Sequence, residues 1–85
     1  MKRVVWSTHA LAELVKREVA RDEAEQTLAA PDRIVPGHPP RMIYQRRYDD
    51  ALLGEPLLLR LVVEETAVAL LVVTVYKTSK LRKYE

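Results

Sequence analysis

Two strand-like apolar runs stand almost back to back in the C-terminal half, and they constrain the fold more than anything else in the chain. Residues 57–64 alternate: Leu57, Leu59, Leu61 and Val63 make one wholly apolar face, and Leu58, Arg60, Val62 and Glu64 make the other. Strand side chains point to opposite faces with a period of two, so this run has one face on a core. Residues 68–76 are apolar on both faces and rich in valine, which suits a central strand. The turn between the runs involves Glu64–Ala67. The length of that turn leaves open which face of the last strand shares the Arg60 side, because a one-residue slip reverses the answer.

An 85-residue chain holds one such core and no second domain. Upstream of the strands the pattern is helical. Ser7 or Thr8 reads as an N-cap, followed by Ala10, Leu11, Leu14 and Val15 at helical spacing, which predicts a first helix over Thr8–Glu18. Asp22, Glu23 and Glu25 sit where a second helix would start, and Pro31 stops it near Ala29 or Ala30. Val4–Trp6 is a short strand or an entry segment. Arg33–Val35 and Met42–Tyr48 read as further strands, the latter with Met42, Tyr44, Arg46 and Tyr48 on one face and Ile43, Gln45 and Arg47 on the other. The expected class is α+β: two N-terminal helices packed on a three- to four-stranded, mostly antiparallel twisted sheet, with a partly open second face. Arg46 or Arg47 would project from that face with Arg60.

Charge is unevenly laid out. Residues 1–40 are neutral overall, 41–48 carry +3, 49–75 carry −4 and 76–85 carry +3. The two basic blocks either meet as a phosphate-sized patch or remain separate solvated segments. No cysteine is present, which excludes disulfides and thiolate chemistry, and two histidines 28 residues apart with scattered carboxylates give no metal-ligand spacing. The longest apolar run, Ala67–Val73, falls far short of the ~20 residues of a membrane helix, and Met1–Thr8 lacks the pattern of a secretion signal. A cytoplasmic protein without metal, cofactor or membrane contact is expected.

The segment Ser7-Thr8-His9-Ala10, the Arg17-containing helix break, the acidic second helix with Pro31-Asp32, the late Val73-Thr74-Val75-Tyr76 and the basic end Tyr76–Glu85 together resemble a group of small bacterial domains. The tail is similar to that of BrnT-type toxins, and both groups belong with RelE/ParE-like toxins. The chain departs from the pattern at Glu18, where a glycine is common, and at Ala20, where a serine cap is common. The resemblance implies a toxin of a type II toxin–antitoxin system, acting as a metal-independent endoribonuclease on mRNA, free or on the ribosome, and held in check by a cognate antitoxin. It equally admits a non-catalytic module that grips a protein target, or a non-toxic regulatory relative. Its oligomeric state is open.

Cleavage of this kind needs a base for the ribose 2′-hydroxyl, a cation for the crowded phosphorane and an acid for the leaving 5′-oxygen. Arg60 is the sharpest candidate, since an arginine in an apolar strand must reach solvent or a partner; Glu64, further along the same face, is the competing partner. His9 is a proton-transfer candidate or a locally bonded helix residue, and His38 a solvated loop residue. Tyr76, Lys77 and Tyr84 complete the catalytic candidates, with Tyr76 otherwise a sheet aromatic. Arg46, Arg47, Lys80, Arg82 and Lys83 are the RNA-binding candidates, the last three otherwise a frayed basic terminus.

Overall fold

The computed structural model describes residues 2–50 and 52–84. Among them, β1 (Arg3–Trp6) leads to α1 (Thr8–Lys16) and α2 (Arg21–Ala29), and then β2 (Arg33–Pro36), β3 (Arg41–Asp50), β4 (Glu55–Glu65) and β5 (Ala69–Thr78) precede a final turn of helix, α3 (Leu81–Tyr84). The class is α+β, as expected, but the sheet has five strands rather than three or four, in the order β1-β5-β4-β3-β2. The additional strand is β1. It pairs parallel with the first four residues of β5, so the sheet is mixed.

The alternation in β4 decides the packing. Leu57, Leu59, Leu61 and Val63 are buried together with Val72 and Val75 of β5, Tyr48 of β3, and Ala10, Leu14, Val19, Ala24 and Leu28 from the helical segment. α1 lies against β5, and α2 against β3 and β4. Burial of these side chains supplies the main driving force for folding.

Each helix end has a local cause. Ser7 is the N-cap of α1, its Oγ accepting from the Ala10 N–H at 3.0 Å. The C-terminus of α1 closes by a paired return: the Glu18 N–H reaches the Val15 carbonyl and the Val19 N–H the Leu14 carbonyl, with Val19 and Leu14 both in the core. That closure requires a left-handed residue, and Glu18 has φ +55°. The first helix therefore stops at Lys16 and not at Glu18. A side chain in this region is disfavoured where glycine is not. Glu18→Gly should raise stability by about 0.5–1 kcal/mol, read as a higher midpoint in thermal unfolding with unchanged circular dichroism. α2 starts at Arg21, its N-cap residue Ala20 offers no side-chain cap, and Asp22 and Glu23 in its first turn offset the helix N-terminal charge.

A bulge in the β4–β5 ladder settles the open question of facing. Val63 pairs with Val72, yet Val62 pairs with Thr74, so Val73 is the extra residue. An unbroken ladder would place Val75 opposite Arg60; the bulge places Tyr76 there. Ser7 Oγ donates to the Val73 carbonyl at 3.0 Å, so the residue that caps α1 also holds the bulge.

Candidate functional site

On the sheet face away from the core, cross-strand register lines up one polar row. Arg33 of β2 pairs with Gln45 of β3, Gln45 with Arg60 of β4, and Arg60 with Tyr76 of β5. Arg60 is buried in the middle of the row, only 7% exposed. Its Nε donates to Gln45 Oε1 at 3.1 Å, and its Nη1 donates to the Tyr76 hydroxyl. Glu64, the competing partner, instead lies 3.9 Å from Arg41.

The C-terminal turn completes the cluster. The Tyr84 ring lies over the Arg60 guanidinium, 4.1 Å from its centroid, and the Tyr76 ring is 5.5 Å away. Gln45 Nε2 donates to the Tyr84 carbonyl at 2.9 Å. The orientation of this amide is forced at both ends, since the arginine Nε–H can only donate and the backbone carbonyl can only accept. Lys83 Nζ lies 5.3 Å from the centroid of the same ring. Cation–ring contacts of this kind favour a positively charged platform carrying an aromatic. Of the tail cations, Lys80, Arg82 and Lys83 are exposed. The basic end is thus folded back on the sheet rather than frayed.

Arg60, Tyr76 and Tyr84 are therefore brought together. Arg47 shares their face by register, opposite Leu58. Arg46 and Lys77 do not: both stand opposite Leu59, on the helix side. There Arg46 pairs with Glu23 of α2, and Lys77 Nζ donates to Asp50 at 2.8 Å. The positive charge of each is matched by a partly or fully buried carboxylate. His9 is exposed in the first turn of α1, on the side of Glu13, and is no part of the Arg60 cluster. Glu13 itself is held below the usual carboxylate range, chiefly by the Arg17 side chain that donates to it. His38 is exposed in the turn between β2 and β3.

Gln45 is the cluster residue that sequence reasoning missed. Its signal was present: a hairpin folded about Leu52 and Leu53 sets residues equidistant from that point opposite each other, and Gln45 and Arg60 are such a pair. Beside Gln45 lies a cavity of about 310 Å³, lined also by Asp32, Arg33, Arg47 and Leu58. Another of about 320 Å³, between α2 and the β1 edge, is mainly apolar and belongs to the helix side. No three His, Asp or Glu among the described residues stand together as metal ligands.

What the row can do follows from its parts. Arg60 supplies a fixed positive charge in a sparsely hydrated setting, where its field is stronger than in water. With Nε and Nη1 engaged, Nη2 has no partner among the described residues. Tyr76 accepts from Arg60, so its own O–H proton is left to donate elsewhere. Compared with known proteins, the chain matches no family model, no curated protein and no solved structure.

Proposed function

We propose that this chain is a toxin-like protein of the RelE/BrnT kind that binds single-stranded RNA across the Arg60 face and cuts it without metal. The observation that carries the reading is the buried Arg60 held between Gln45 and Tyr76, with an exposed basic segment, Lys80–Lys83, next to it. A guanidinium positioned by two neighbours is preorganised for an anion that gains charge during reaction. In this scheme the ribose 2′-oxygen forms a bond to phosphorus as the bond to the 5′-oxygen breaks. Solvent takes the 2′ proton, Arg60 offsets the phosphorane charge, and Tyr76 gives a proton to the leaving 5′-oxygen. The products are a 2′,3′-cyclic phosphate and a 5′-hydroxyl. A small antitoxin would cover this face.

One observation favours a second reading, in which the same face binds and does not cut. Neither His9 nor Lys77 stands in the cluster, and Asp32, the carboxylate that lines the adjoining cavity, already accepts from the Arg47 N–H at 2.8 Å. Incubation of the purified chain with a synthetic mRNA in excess chelator, with and without ribosomes, separates the two. The cleavage reading expects fragments with cyclic-phosphate and 5′-hydroxyl ends. RNA that is bound but intact in both settings would leave the binding module.

A further inference from the structure

We infer that the Gln45–Arg60 platform is a binding site for an unstacked nucleobase, and that the chain's own C-terminal turn occupies it as an internal stand-in. The inference rests on the RNA-binding part of the proposed function and names the ligand of that site. Two contacts carry it. The Arg60 guanidinium carbon lies over the Tyr84 ring, 4.1 Å from the ring centroid, and the backbone carbonyl of the same residue accepts from Gln45 Nε2 at 2.9 Å. A planar ring on a guanidinium, with an acceptor edge held by an amide, is how single-stranded RNA bases are gripped by proteins.

Nothing else in the row wants this occupant. Arg60 already has Gln45 and Tyr76 to fix its position, and Gln45 Oε1 is already used. What remains is one guanidinium face and one amide donor, and Tyr84 covers both. Tyr84 belongs to a four-residue turn of helix, Leu81–Tyr84, whose own residues are half-buried or exposed and none fully buried. A base could replace the ring and carbonyl together. The adjoining cavity beside Gln45 gives its ribose room, and the Nη2 edge of Arg60, without a partner among the described residues, remains for the phosphate. The face of the guanidinium would hold the base while its edge holds the backbone.

The test uses the full chain, Tyr84→Ala and Gln45→Glu, each titrated into two fluorescent octamers of equal charge. One is 2′-O-methyl-uridine, which cannot be cut at its blocked 2′ position, and the other is its abasic counterpart. Tyr84→Ala should bind the uridine octamer about tenfold more tightly than the parent and the abasic octamer no more tightly. Gln45→Glu keeps an acceptor for Arg60 but removes the donor, and should lose most of the preference for uridine over abasic. Tighter binding of both octamers by Tyr84→Ala would make the turn a simple cover, and weaker uridine binding would make Tyr84 part of the RNA surface; either overturns the base site while RNA binding stands. No binding by any variant would remove the RNA reading and this inference with it.

Discussion

Asp50→Ala should destabilise the protein by about 3 kcal/mol, a large part of the roughly 4–13 kcal/mol available to a domain of this length. Asp50 ends β3 and is 4% exposed. Its Oδ2 accepts from Lys77 Nζ at 2.8 Å and from the Tyr48 hydroxyl at 3.0 Å, while its Oδ1 accepts from the Leu52 and Leu53 N–H groups at 3.0 and 2.9 Å. One carboxylate thus closes the β3–β4 loop and neutralises a half-buried lysine. Alanine leaves Lys77 uncompensated and two loop amides without their acceptor, which is costlier than losing a surface pair. The double variant Asp50→Ala with Lys77→Met should recover part of the loss, because the stranded charge is gone. Denaturant unfolding of the three proteins measures both effects. Equal stability of the parent and Asp50→Ala would contradict this role.

The same carboxylate sets an acid limit. Lys77, then the Leu53 amide, hold Asp50 down at about 2, against 3.8 for a free aspartate. The folded state therefore binds fewer protons than the unfolded state in that interval, and stability rises with pH there. The contribution of Asp50 is fully present above about pH 4 and is lost as pH falls through about 2. Thermal midpoints of the parent should drop over that range more steeply than those of Asp50→Asn. The Tyr48 phenol, buried and bonded to Asp50, is pushed well above its ordinary value and stays neutral throughout.

Replacing Arg60 should have the largest effect on the proposed RNA cleavage. Loss of one preorganised charge donor from a site of this kind costs about 10²–10³ in rate. Arg60→Ala also strands Gln45 Oε1, so a folding defect is a competing cause. Arg60→Lys separates them: it keeps a positive charge and lacks the fork that reaches Gln45 and Tyr76 together. Both variants should cut RNA at least a hundredfold more slowly in single-turnover assays, and Arg60→Lys should retain the parent circular dichroism. A lysine variant at parental rate would show that charge alone, and not the held guanidinium, is used.

The parts of this arrangement differ in how plainly the sequence announced them. The strand 57–64 and the oddity of Arg60 were legible because period-two burial leaves a direct trace in the residue types. The start of α1 was legible because its Ser7 cap is local, and that of α2 through the acidic residues of its first turn, whereas the short helix α3 was not expected. The end of α1 was not, since Glu18 occupies a left-handed position that usually advertises itself as glycine. The strand β1 was ambiguous because four residues, paired in parallel to a distant partner, carry no local signal. The neighbour of Arg60 on β5 was beyond reach for a different reason. It depends on one extra residue, Val73, whose backbone is held by Ser7 across 66 positions of chain. Lys77, adjacent to Tyr76 in sequence, is consequently on the opposite face and serves the fold instead.

Controlled expression of the parent beside Arg60→Lys, with growth followed and total RNA examined on a gel, tests whether the Arg60 face acts on RNA as proposed. Growth arrest with loss of mRNA is expected for the parent, and neither for the variant at equal soluble level. Arrest by both proteins with RNA intact, or unimpeded growth with intact RNA in the parent, would contradict it.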